Sequence, residues 1–295
     1  MRIAYISYEH PLGISGGGIG TYLGQIARVM ATRGHDVEVF TGHADLSDTF
    51  RHEGYTIHRI ATASVTDFRE KVVESFANVH TTSPFDIIES AEYGADAYLV
   101  RNRFRQVPLA VKLHTPSFLL GRLNGKPFKS RFGKFIFLLK CLRRGIIKKP
   151  FWVYDKKSDP EFGLFRMANG LYSPSNSLGG IVGKEWGRQP EISVVPNPFV
   201  PSRELLAIPT VKKPDNKTVI CFIGKLEVRK GVDILMKAIP SILQRCEHVA
   251  FRFIGEPLPS PQYGLNMQEY ILKELANFSH HLEFLGKQPA HQIPK

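Results

Sequence analysis

Short β-rich apolar runs and segments of helical period follow one another along nearly the whole of this chain. That alternation builds a parallel sheet covered by helices, since parallel strands need long crossovers and a helix is the usual one. Arg2–Tyr8, Asp36–Thr41, Tyr55–Ile60, Asp86–Glu89, Pro108–Leu113, Leu171–Ser173 and Ile192–Val195 read as strands. Between the first two, Tyr22, Leu23, Ile26, Ala27, Val29 and Met30 give one apolar face to a helix over about 20–33, with Gly34 as its stop. The chain therefore opens as a βαβ unit.

Pro196, Pro198, Pro201, Pro209 and Pro214 crowd the stretch from Pro196 to Asn216, which neither a helix nor a central strand sustains. It reads as a linker. The pattern then restarts with strand Thr218–Ile223, helix Val232–Gln244, strand Val249–Ile254, helix Met267–Asn277 and strand His281–Leu285. The expected organisation is a first Rossmann-like domain over 1–200, carrying a basic insertion at about 117–158, a linker over 201–216 and a partial second domain over 217–295. Three parallel strands are few for a covered sheet, so apolar faces along Val249–Ile254 and Leu282–Leu285 are expected to stay partly open.

Several classes drop out early. The first residues lack the long apolar centre of a signal peptide, and the most apolar stretch, Phe135 to Leu139, is flanked by Lys134 and Lys140 rather than extended to a membrane span. Cys141, Cys221 and Cys246 are widely spaced and suggest neither a disulfide framework nor a zinc site, which fits a reducing cytoplasm. Of the formal net charge of +12, most sits between Asn124 and Lys157, where Lys126, Lys129, Arg131, Lys134, Lys140, Arg143, Arg144, Lys148, Lys149, Lys156 and Lys157 face the single acid Asp155.

Two stretches could carry chemistry. Gly16-Gly17-Gly18-Ile19-Gly20 lies between the first strand and its helix, where glycines let a ligand approach the backbone and the helix N-terminus favours an anion. The dinucleotide fingerprint fails here: the loop from Tyr8 is too long, Thr21 stands where the last glycine belongs, and the second strand ends in Thr41 rather than an acid. A nicotinamide-dependent oxidoreductase is thus disfavoured. The second stretch, Phe222-Ile223-Gly224-Lys225-Leu226-Glu227-Val228-Arg229-Lys230-Gly231, leaves a strand, crosses a charged loop and enters a helix. Lysines at a strand's C-terminal edge can neutralise a diphosphate, although a solvated basic loop has the same composition.

Four motifs in order resemble family 4 of the glycosyltransferases: Gly-Gly-Ile-Gly-Thr-Tyr near the N-terminus, His114-Thr115-Pro116, Val195-Pro196-Asn197-Pro198, and Gly-Lys-Leu-x-x-x-Lys-Gly. The resemblance runs from Met1 to about Leu285, except for the basic segment. It implies an α/β fold of the GT-B kind, two Rossmann-like domains facing a cleft, and sugar transfer from a nucleotide diphosphate sugar to a hydroxyl acceptor with retention of configuration. It further implies a UDP- or GDP-sugar donor, no metal and no other cofactor. By position, Gly17 and Gly18 would lie beside the donor, His114 would face the transferred sugar as the catalytic-site residue, and Lys225 and Lys230 would hold the diphosphate. The family usually has Arg where Lys225 stands, so the charge is kept and the bidentate fork is lost. Family members carry a pair of glutamates beyond the strand that resembles His281–Leu285, and the chain ends before it, so the chain as given is expected not to turn over sugar.

For the basic segment two readings stand open. Phe132, Phe135, Ile136, Leu139 and Leu142 recur at helical spacing among cations, which suits a peripheral helix on an anionic membrane surface through 126–149 and a glycan or lipid-linked acceptor. The same face could instead pack on the first domain. Nucleic acid is disfavoured, because no binding module accompanies the charge. The chief alternative to an enzyme is a non-catalytic module binding a glycan, lipid or partner.

Overall fold

The computed structural model describes all residues except 15–16, 125–130, 144, 146–153, 188–190, 202, 209–217, 247, 263 and 289–295. Gly16, Lys126, Lys129, Arg144, Lys148, Lys149, Pro209 and Pro214 lie outside the described residues, as do the side chains of Arg131, Phe132 and Lys134. The chain divides into two compact units, Met1–Gly121 with Lys149–Val200, and Arg122–Lys148 with Pro201–Lys295.

The first unit is built on an eight-stranded sheet. Its strands are β1 (Arg2–Ser7), β2 (Asp36–His43), β3 (Asp48–His52), β4 (Tyr55–Ala61), β5 (Ile87–Ala91), β6 (Leu109–Lys112), β7 (Gly170–Ser173) and β8 (Ile192–Val194). They lie in the order β3-β4-β2-β1-β5-β6-β7-β8, parallel except for β3. The order reverses at β1, with β2 on one side and β5 on the other, so the crevice for a ligand is expected at the C-terminal ends of β1 and β5.

Strand side chains alternate between two apolar layers. Ile3 and Tyr5 face Leu23 and Ala27 of α1 (Gly18–Thr32), whereas Ala4 and Ile6 join the larger cluster on the other face. That second layer is supplied by α2 (Val65–Thr82), α3 (Tyr98–Arg103), α6 (Pro160–Met167) and α7 (Asn176–Trp186), through Phe68, Val72, Phe76, Val100, Leu164, Phe165, Val182 and Trp186. The helices start where the sequence offers caps: Ser64 accepts the Asp67 N–H, Asp159 the Glu161 N–H before Pro160, and Ser175 the Leu178 N–H. Two further helices, α4 (Ser117–Asn124) and α5 (Arg131–Arg143), fall in the expected insertion, with α5 belonging to the second unit.

β3 has no counterpart among the expected strands. Its sequence, Asp-Thr-Phe-Arg-His, is polar and mostly exposed, and what holds it is the antiparallel pairing with β4 through a tight turn at Glu53 (φ 45°) and Gly54 (φ 89°). Edge strands of this kind leave no apolar signature.

The second unit holds the short helix α8 (Arg203–Leu206) and β9 (Thr218–Ile223), α9 (Val232–Leu243), β10 (Val249–Ile254), α10 (Met267–Glu274) and β11 (Leu282–Gly286). Its three parallel strands run β11-β10-β9 among the described residues. Phe251, Phe253, Met236, Ile239, Met267 and Ile271 form its core, so α9 and α10 cover one face. On β10, Val249, Phe251 and Phe253 are buried where openness was expected; in the second stretch Leu285 is 38 % exposed, in line with the expectation, and Ile223 of β9 is 57 % exposed.

Candidate functional site

The loop from Tyr8 to Gly17 is long for a strand-to-helix turn, and the structure shows how it is held. Ile14 donates to the Gly42 carbonyl at 2.8 Å, Gly42 donates to the Tyr8 carbonyl at 3.2 Å, and the Tyr8 N–H donates to the Asp96 carboxylate at 2.7 Å. A side chain at Gly13 would press within 2.5 Å of the Gly42 carbonyl, so that glycine serves packing. Gly17 and Gly18 differ. A Cβ at Gly17 meets only the Glu9 carboxylate, at 3.9 Å, and one at Gly18 meets nothing within 4 Å. Packing among the described residues does not require glycine there, and both lie exposed at the start of α1, where the first N–H groups have no helical acceptors.

Next to that helix start, a pocket opens at the ends of β1 and β5, lined among others by Ser7, Ile19, Tyr22, Glu89, Ala91 and His114. His114 follows β6 by two residues. Its ring meets the Tyr22 ring edge-on with 4.9 Å between centroids, and the Tyr22 hydroxyl donates to Glu89 at 2.6 Å. The His114 Nε2 is buried and without a hydrogen-bond partner among the described residues. Burial, with the nearby Lys112 ammonium second, pushes the imidazole down to about 4, so it is neutral at physiological pH. A neutral ring with a free nitrogen can exchange a hydrogen bond with a sugar hydroxyl. Beneath Tyr22, buried Lys112 donates to the Val195 carbonyl and lies 5.6 Å from the ring centre.

Three buried acids brace these loops, and none stood out in the sequence. Glu92 accepts the His114 N–H, Asp96 the Tyr8 N–H, and Glu161 of α6 accepts from the Gly94 N–H at 3.0 Å and from the Ser117 N–H at 2.7 Å. Burial raises Glu92 to about 8 and Asp96 to about 7, and it pushes Glu161 up as well. Only Glu92 has a signal in sequence, its position directly after the buried run of β5 (Ile87–Ala91); Asp96 and Glu161 have none of that kind.

Lys225 and Lys230 belong to the second unit. Both are exposed, Lys225 directly after β9 and Gly224, Lys230 in a 3-10 turn that hands over to α9 at Gly231 (φ 76°). The Arg229 guanidinium pairs with buried Glu227 at 2.5 Å, which ties down the middle of the loop and leaves the two lysines outside that pair. β9 and β10 are each followed by a glycine and β11 ends in one, and a side chain at Gly255 would meet the Gly224 carbonyl oxygen at 1.9 Å. Among the described residues no group of three or more His, Cys, Asp or Glu could hold a metal ion, and no helix is long and apolar enough to cross a membrane.

An α/β chain with two parallel-sheet units defines the class, and that class is the GT-B fold of glycosyltransferases. Sucrose-phosphate synthase from Thermosynechococcus elongatus matches with a TM-score of 0.63 at 18% identity, over 97% of this chain and 70% of that one. The catalytic domain of starch synthase IV from Arabidopsis thaliana, bound to ADP and acarbose, matches at 0.60 and 14% identity, over 98% and 74%. An E. coli trehalose-6-phosphate structure bound with UDP-2-fluoro glucose matches at 0.58 and 12%, over 98% and 74%. More particularly, residues 17–145 match the family model of the glycosyl transferase 4-like domain. No curated protein matches the sequence as a relative.

Proposed function

We propose that the reaction this chain serves is the transfer of a sugar from a nucleotide diphosphate sugar to a hydroxyl acceptor with retention of configuration, in the synthesis of a glycan, glycolipid or envelope polysaccharide. The observation that carries the reading is the pocket at the sheet's reversal point, where a neutral, unpartnered His114 nitrogen lies beside a glycine-rich helix start. The 4-like domain match and the fold both support a transferase. Gly17 and Gly18 leave room for the donor, and His114 meets the transferred sugar. Lys225 and Lys230 supply positive charge to the leaving diphosphate, so the donor is a UDP- or GDP-sugar held without metal. Retention follows if the acceptor attacks the face that the diphosphate leaves and gives its proton to a diphosphate oxygen.

A lipid or lipid-linked acceptor is supported by α5, where Phe135 is 58 % and Leu142 72 % exposed beside Lys140 and Arg143. The test is a panel of UDP- and GDP-sugars with chelator present, read by thermal shift and, with a version extended to a full second domain, by product formation. One donor should raise Tm and yield a product with the anomeric configuration of the donor, and His114→Ala should abolish the product. A panel without a stabilising nucleotide, or an inverted product, would overturn the proposal.

A further inference from the structure

β5 and β6 pair in parallel register as far as Ala91 and Lys112, and the ladder continues with a bond from the Glu92 N–H to the Lys112 carbonyl. In a parallel ladder the next rung runs from the His114 N–H to the Glu92 carbonyl. That rung is not made. At Glu92 the backbone turns into the helical region (φ −68°, ψ −38°), and its carbonyl is taken by the Ala95 N–H at 3.0 Å. The Glu92 side chain supplies the acceptor instead, its two oxygens 2.8 and 2.9 Å from the His114 nitrogen.

We propose that Glu92 is a positioning residue for His114, its carboxyl oxygen replacing the missing rung of the ladder and so fixing where the imidazole stands in the pocket. The inference rests on the reading of His114 as the group that meets the sugar. A buried backbone N–H must find an acceptor, and Glu92 is fully buried, so the contact is not shared with water. Its neighbours are anchored too. Leu113 donates to the Tyr172 carbonyl at 2.7 Å, and Glu161 holds Ser117, so the turn that carries His114 is fixed at both ends. With the backbone set by Glu92 and the ring packed on Tyr22, Nε2 is left without a hydrogen-bond partner among the described residues. Glu161 carries a second carboxylate close enough to raise the Glu92 pKa, which makes an acid a costly choice for packing alone.

Two variants test the reach of the side chain. Glu92→Asp keeps the carboxyl and withdraws it by one methylene, while Glu92→Gln keeps the reach and an acceptor oxygen and is as uncharged as the protonated acid. In the full chain labelled with 15N-histidine, E92D should speed exchange of the His114 amide about tenfold or more and move the imidazole titration upward from about 4, and E92Q should stay near wild type in both. In the transfer assay, E92D should lower kcat on the order of 10- to 100-fold with the donor KM nearly unchanged, and E92Q should recover most of that loss. Unchanged His114 signals in E92D, or equal losses in E92D and E92Q, would overturn the inference. If E92D moves His114 and yet neither E92D nor His114→Ala alters transfer, the rung stands and the assignment of His114 to the sugar fails.

Discussion

At Lys225 and Lys230 the chain has two ammonium groups on a loop whose other cation, Arg229, is already paired with Glu227. Point charges of this kind suit a diphosphate, where each adds a charge-assisted hydrogen bond. Replacing either by Ala should weaken UDP or GDP binding roughly 5- to 150-fold in calorimetry, with an unchanged circular dichroism spectrum. Equal affinity in both single variants would remove the lysines from the nucleotide. The motif residues could be read from sequence because glycine and lysine at a strand end carry their chemistry locally. Glu92 and Tyr22 could not, because their roles consist of contacts to residues 22 and 92 positions away in the chain, His114 in both cases.

Among the elements, α5 is the clearest case of a helix whose surroundings decide its role. Phe135, Leu139 and Leu142 share one side at helical spacing and are 58 %, 42 % and 72 % exposed, with Lys140 and Arg143 nearby. Apolar side chains at that exposure, rimmed by cations, suit the headgroup region of an anionic bilayer. The protein should therefore sediment with vesicles containing phosphatidylserine at low salt, should be released as salt rises, and should ignore neutral vesicles. Replacing Phe135 and Leu139 by Ser should abolish sedimentation; recovery in the supernatant regardless of lipid charge would reject the membrane. The helical period of α1, α9 and α10 was legible because each buries one face, whereas β3 was not, since its pairing with β4 is a matter of backbone bonds.

For the molecule as a whole, the buried ionisable groups set how stability follows pH. Asp96 and Glu92 keep their protons in the folded state to about 7 and about 8, against ordinary values of 3.8 and 4.5, so their contribution is intact below the ordinary values and is lost as pH rises through the folded ones. His10 and His114 act in the opposite sense, held at about 4 against 6.5, so their contribution grows as pH rises from about 4 to 6.5 and is constant above. The window from 6.5 to 8.5 thus isolates the acids. Tm should fall across it, and Asp96→Asn should flatten the fall in stability by about 1 kcal/mol, because the window overlaps only about half a pKa unit below its folded value of about 7, at about 1.4 kcal/mol per pKa unit. A wild-type Tm that rises over this window would contradict the protonated carboxyls. Most of the strands, the helices α1, α9 and α10, the parallel sheets and the glycine and lysine motifs were determined by the sequence itself, because period, caps and turn residues act within a few positions. The reversal at β1, the pocket it opens, the neutral state of His114 and the carboxyl rung beneath it were decided only in three dimensions. Strand order and burial bring together residues far apart along the chain, and desolvation acts on a side chain only once its neighbours have closed around it.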